Sequence, residues 1–242
     1  MQLSCYQCAL RECGLFKPVT PEELAAINDL KMQHLKLSAG AEIIRAGDDC
    51  PNLFTLYSGW AFRFKTLPDG RRQILNILLP GDLLGLQAAM FEATQHGIEA
   101  LTDVQLCVLP RRGVWALFGK VPGLAFDVAW LGSREESIVD ENLASVGRRT
   151  AVERVAALIV ALYKRTKRLG LVTDDSFDFP LTQQHLADAL GLSLVHTNKT
   201  LAKLRRMGLF TSKNGSLTLT NPHALTRVGQ FFDEEIPQRP LI

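Results

Sequence analysis

The chain has 242 residues, 47% of them hydrophobic and 21% charged, with a formal net charge of +2 at pH 7. That length fits one large domain or two of ordinary size, with enough apolar residues to bury a core, and the near-neutral balance does not by itself point to a polyanion partner. No apolar run reaches the roughly 18 residues of a membrane-spanning helix, and the opening residues lack the basic and apolar regions of a secretory signal, so the chain is expected in the cytoplasm, with no membrane partner.

The first 19 residues read as a tail that carries most of the sulfur. "CYQCALREC" places Cys5, Cys8 and Cys13 within nine residues, in a chain with five cysteines. In a reducing compartment such a cluster points to metal binding or thiol chemistry rather than to a disulfide frame.

From residue 20 to 121 the texture is that of a β-roll. "TPEEL" opens a short helix, with Thr20 as N-cap, Pro21 in the first turn and Glu23 three residues on. Short apolar runs follow, "LFTLYSG", "WAFRFKT", "RQILNILLPGD" and "VQLCVLP", punctuated by glycines and by an Asp69-Gly70 turn.

Residues 122–149 form a long proline-free stretch after Pro122. Leu124, Val128, Leu131 and Ile138 recur at three-to-four spacing, with polar gaps at Glu135 and Asn142. That narrow stripe resembles a coiled-coil seam, so the helix is expected to pair with a second copy through these six positions.

Residues 150–242 begin with an apolar helix, "VERVAALIVALYKRTKRLG". Then come two helical patterns flanking Gly191-Leu192-Ser193, and a hairpin around Asn214-Gly215. A short helix, a tight glycine turn, an amphipathic helix and a hairpin make a winged helix-turn-helix. In the second helix Leu194, Thr197, Leu201 and Leu204 share one face and are expected to pack inward. Val195, Asn198, Lys199 and Ala202 share the other, with His196 and Lys203 at its margins. An amide and a long cation near the helix start suit base edges in a major groove, and Ser193 suits a phosphate. Lys199, Lys203, Arg205 and Arg206 outweigh Asp188, so the near-neutral chain hides a basic region. The expected fold class is therefore α+β: β-roll, long helix, winged helix-turn-helix.

The stretches "AGDDCPNLFTLYSG", "LLPGDLLG", "EALTDVQLCVLP", "AVERVAALI" and "LTQQHLADALGLSLVHTNKTLAKLRRMGLF" resemble the Crp/Fnr superfamily of transcription regulators over nearly the whole chain. The resemblance implies a cyclic-nucleotide-binding-like roll, a homodimer, a double-stranded DNA operator with two-fold symmetry and RNA polymerase as a partner. Cyclic-nucleotide members carry a Gly-Glu pair and a following arginine. The matching stretch "GLQAAMFEATQHGIEALTD" has no arginine, and Glu92 is the only acid before the expected cassette end, so no cyclic nucleotide is expected.

FNR-type oxygen sensors hold a [4Fe–4S] cluster on three N-terminal cysteines and one on a late strand of the roll. By that resemblance Cys5, Cys8, Cys13 and Cys107 are the matching positions, and soft thiolates suit iron. The spacing between the second and third cysteines is one residue shorter than in the best-known such sensor. Val195, Asn198 and Lys199 also depart from its recognition residues, so an identical operator preference does not follow. Zinc, a Cys5/Cys8 dithiol switch, or no metal at all are the other readings of the thiols; Cys50 has no counterpart. A roll answering to another small ligand is the rival within the fold. A cupin-like metalloenzyme would need several roll histidines, and only His96 is expected there; haem on His96 or His34 is a further alternative. No nucleophile–base constellation is visible, and no enzymatic role is expected.

Overall fold

The computed structural model describes residues 4–90, 93–231 and 237–242. It divides into two compact units: Met1–Lys65, Ile77–Ile138 and Pro237–Ile242 form one, Thr66–Asn76 and Val139–Ile236 the other. The tip of one roll hairpin clusters with the second unit, and the last six residues of the sequence belong with the roll.

In the first unit, 3-10 turns at Cys5–Gln7 and Ala9–Glu12 lead to α1 (Pro21–Leu30), whose start carries the expected capping box between Thr20 and Glu23. The roll then runs through β1 (Gln33–Leu37), β2 (Glu42–Ile44), β3 (Asn52–Ser58), β4 (Ala61–Thr66), β5 (Arg72–Leu78) and β6 (Leu83–Leu84). It is completed by α2 (Leu86–Met90), β7 (Gly97–Ala100) and β8 (Val104–Pro110), and followed by α3 (Arg111–Lys120) and α4 (Pro122–Arg148). Two four-stranded sheets form, in the orders β1-β8-β3-β6 and β2-β7-β4-β5. Glu92 and its supposed cassette role lie outside the described residues.

Strand alternation decides what each face does. Phe54, Leu56, Leu106 and Val108 fill the core between the sheets with Ile44, Leu84 and Ile98. The alternate residues face outward, where Leu53 and Leu109 pack with Val114, Val128 and Leu131 of the covering helices. Because both faces are covered, β3 reads as an almost unbroken apolar run rather than an alternating one.

The stripe expected to be a dimer seam faces the chain itself. Leu124 is fully buried with Cys5, Ile27 and Leu117, and Val128 and Leu131 belong to the outer core of the roll. Glu135 pairs with Arg63 at 3.4 Å, Ile138 is half-buried, and the Asn142 amide donates to the Leu75 carbonyl at 2.8 Å. Apolar spacing locates a buried face but does not say whose atoms bury it. The opposite face of α4 is open, with Phe126 67% and Leu143 70% exposed. The opening segment is likewise no loose tail, since Cys5 and Phe16 are both buried.

In the second unit α5 (Ala151–Arg168), β9 (Ser176–Asp178), α6 (Gln183–Leu190) and α7 (Leu194–Arg206) precede β10 (Phe210–Lys213), β11 (Ser216–Leu219) and α8 (Pro222–Val228). A second capping box, between Thr150 and Glu153, starts α5. Gly191 ends α6 in the left-handed conformation at φ 62°, which lets the chain turn at once into α7. Asn214 and Gly215, both with positive φ, make the tight turn of the β10–β11 hairpin.

Glu135→Leu tests the corrected role of the α4 stripe. Its expected effect is a loss of about 1–3 kcal/mol of unfolding free energy, because Arg63 loses its carboxylate in a largely buried setting. Urea denaturation monitored by circular dichroism measures it; sedimentation should show no gain of dimer.

Candidate functional site

The cysteines meet on the outer face of the first sheet. On β8, Gln105, Cys107 and Leu109 point away from the inter-sheet core. Antiparallel pairing sets His34 of β1 and Thr55 of β3 on either side of Cys107. The opening segment covers this patch. The Asn28 side-chain oxygen on α1 accepts from the Ser4 hydroxyl (3.2 Å) and the Cys5 amide (3.1 Å), which fixes the first turn and buries Cys5. The Lys17 ammonium pairs with the buried Asp127 carboxylate of α4 and anchors the far end of the segment.

Between them lies a narrow pocket of about 20 Å³. Cys5, Cys8 and Cys107 line it together with Arg11, Lys31, His34, Thr55 and Tyr57. Cys13 is not on the lining; it closes the second 3-10 turn, and its amide donates to the Leu10 carbonyl. Cys50 lies elsewhere, its thiol on the Asn52 carbonyl at 3.0 Å. Burial pushes the Cys107 thiol up to about 11, with Lys31 and Arg11 pulling against it. Burial, followed by the thiols of Cys8 and Cys107, raises the Tyr57 phenol.

His34 is on β1, inside the roll rather than before it. Its Nδ1 faces the Gln105 amide nitrogen at 3.0 Å, and its Nε2 faces the Cys107 sulfur at 3.9 Å. The Gln105 donor assigns Nδ1 as acceptor, which leaves the proton on Nε2 and directed at the sulfur. His96 is buried away from this pocket. Burial, with Arg63 and Lys65 adding to it, lowers its imidazole to about 4 and keeps it neutral.

The donor chemistry suits a thiolate-bound group: three thiols share one pocket, the fourth stands on the same short segment, and two cations oppose negative charge. Among the described residues no three His, Cys, Asp or Glu side chains lie close enough to hold a single metal ion. Cys107 was found by sequence, but Arg11, Lys31, Thr55 and Tyr57 were not. They come together through strand pairing and helix docking, and no local pattern marks them.

The second unit presents the helix-turn-helix. The Ser193 hydroxyl caps α7 by accepting from the His196 amide. Thr197, Thr200, Leu201 and Leu204 form the buried stripe. Leu194, expected in that stripe, is 42% exposed. At 100° per residue it sits roughly 60° from the centre of the stripe, and Thr200 takes its place. Ser193, Val195, His196, Lys199 and Lys203 are all exposed; Asn198 is half-buried, and its buried Oδ1 lacks a hydrogen-bond partner. Asp188 pairs with Arg72 of the hairpin tip at 3.6 Å, and Gln73 beside it donates to the Ala189 carbonyl at 3.1 Å. The acid on α6 is therefore largely compensated, and α7 keeps its basic character.

A β-roll joined to a winged helix-turn-helix with an open, basic recognition helix defines an effector-domain DNA-binding regulator. Residues 34–120 match the family model of the cyclic nucleotide-binding domain, and residues 153–228 that of the Crp-like helix-turn-helix domain. The transcriptional activator protein FnrL of Cereibacter sphaeroides is 28% identical over 208 residues, covering 85% of this chain and 83% of that protein. The nitrogen fixation regulation protein FixK of Bradyrhizobium diazoefficiens is 28% identical over 218 residues, 90% of each. The structure of FixK2 from Bradyrhizobium japonicum shares the fold, with a TM-score of 0.73, 24% identity and coverage of 81% of this chain and 96% of that one. The chain belongs to the Crp/Fnr family of DNA-binding transcription regulators.

Lys199→Ala and Lys203→Ala should each weaken binding to duplex DNA and lower the slope of log affinity against log salt by about one. Fluorescence anisotropy at several salt concentrations measures both. An unchanged slope would remove α7 from the interface.

Proposed function

We propose that this regulator is a homodimer of the cytoplasm that answers to oxygen or nitric oxide at the cysteine pocket. Cys5, Cys8, Cys13 and Cys107 would serve as thiolate ligands of a [4Fe–4S] cluster. The observation that carries the reading is the shared pocket of Cys5, Cys8 and Cys107 beneath Lys31 and Arg11. Such a cluster supplies a link between its thiolates that oxygen destroys, and a net negative charge.

The residues of the chain do the rest. Lys31, 8% exposed, and Arg11 favour the thiolate of Cys107, which burial opposes. The Nε2 of His34 faces the sulfur of Cys107 at 3.9 Å, a contact that would hold this ligand in orientation. Cys13 completes the set when the Ala9–Glu12 turn shifts, and that turn lacks a side-chain cap.

Dimerisation is assigned to the open face of α4, on which Phe126, Ala129, Ser133, Asp140 and Ala144 recur at helical spacing and are exposed. Two copies would then set paired α7 helices about one DNA turn apart on a symmetric operator, with RNA polymerase as the partner in transcription. Phe126→Arg should abolish dimers in sedimentation while leaving the circular dichroism spectrum unchanged.

The testing experiment is iron and sulfide analysis of protein purified without air, with its visible spectrum before and after air. About four of each per chain, and a brown colour that bleaches, is the expected result; Cys13→Ser should lose it. A protein still colourless after reconstitution with iron and sulfide would overturn the reading.

A further inference from the structure

The closing segment of the sequence, Pro237–Ile242, is built into the cysteine pocket. Leu241 and Ile242 are 3% and 8% exposed and line the pocket alongside Cys5, Cys8 and Cys107. Most of the polar contacts of the segment go to the cysteine-bearing segment. Phe16 and Arg239 form a parallel bridge, with the Arg239 amide on the Leu15 carbonyl (3.0 Å) and the Lys17 amide on the Arg239 carbonyl (2.9 Å). The Gln238 amide donates to the Gly14 carbonyl at 2.9 Å, and the Arg11 guanidinium to the Leu241 carbonyl at 3.1 Å.

Arg239 makes this docking all-or-none. Its side chain is 2% exposed; it pairs with the 1%-exposed Asp82, donates to the Pro80 carbonyl at 2.8 Å, and lies over the Phe16 ring at 4.8 Å. Gly81 leaves the space, since a Cβ there would strike both Phe16 and Arg239. A buried guanidinium cannot easily half-leave: partial withdrawal strands its charge away from water, so the segment is favoured either seated or out. The chain before it, Val139–Ile236, belongs to the DNA-binding unit.

We propose that Pro237–Ile242 is a latch on the cysteine pocket: it stays seated only while the Cys5–Lys17 segment is docked, and its release loosens one of the places where the chain passes between the roll and the DNA-binding unit. The proposal rests on the reading of the pocket as the sensing site, but its mechanical part does not require the cluster.

The test uses the full chain without metal. Cys5, Cys8 and Cys13 are blocked with N-ethylmaleimide, and amide hydrogen exchange of residues 238–242 is followed by mass spectrometry. Exchange at least tenfold faster after blocking is expected. By reciprocity, Arg239→Gln should speed maleimide labelling of Cys5 at least tenfold. It should also bring the affinity of the unblocked protein for duplex DNA to that of the blocked wild type. The paired variant Asp82→Asn with Arg239→Gln serves if the single one unfolds. Unchanged exchange after blocking, or wild-type labelling of Cys5 in a folded variant, overturns the latch. Coupling without any iron binding keeps the latch and removes the cluster; iron binding with uncoupled ends does the reverse.

Discussion

The two-residue period of strand β8 is the constraint on which the rest depends. It commits Leu106 and Val108 to the inter-sheet core and sends Cys107 outward, between His34 and Thr55. An outward thiol on a central strand is of use only if something covers it. The opening segment, α1 and the closing segment supply that cover and bury Cys5, Phe16, Leu241 and Ile242 in doing so. A one-residue slip of β8 would turn Cys107 into the core and expose Leu106, so register and site chemistry are specified together.

The cover is held by buried charge rather than by apolar area alone. Asp82 is shared by Arg239 and by Arg134 at 3.5 Å, and its other oxygen accepts from the Leu79 amide. Asp127 holds Lys17. Ion pairs in such settings add little net stability compared with apolar packing, because desolvation offsets attraction, but breaking one leaves an unpaired buried charge. They therefore make the docked arrangement specific and steep in its loss. Apolar contacts alone would let the short segments slide.

What was legible in the sequence is what local chemistry writes. Thr20 caps its helix, Gly191 takes the left-handed turn, Asn214-Gly215 makes the wing, and the strands fall where the apolar runs stand. What was not legible depends on partners far away in sequence. The α4 stripe was correctly seen as buried but assigned to a second copy, because spacing carries no information about which surface lies opposite. Leu194 was placed inward by a periodicity that holds only to within half a turn at a helix end. Residues 237–242 have no motif at all; Arg239 is a buried ion-pair partner only because Asp82 waits in a glycine-lined turn 157 positions earlier.

The same logic separates the two ends of the molecule by the kind of change each tolerates. On α7 Val195, Lys199 and Lys203 are exposed, whereas Thr197, Leu201 and Leu204 are buried in packing. Sequence preference on DNA is therefore free to drift without cost to the fold, since an exposed side chain answers only to the groove it meets. At the pocket no such freedom exists. Cys5 packs on Ile27, Leu117 and Leu124, and Cys107 sits beside His34, so a change at either thiol meets packed neighbours. Chemistry at these sulfurs is bound to be felt by the packing, and that is the physical requirement for a signal at the surface of a roll to become a change in how the chain is held together.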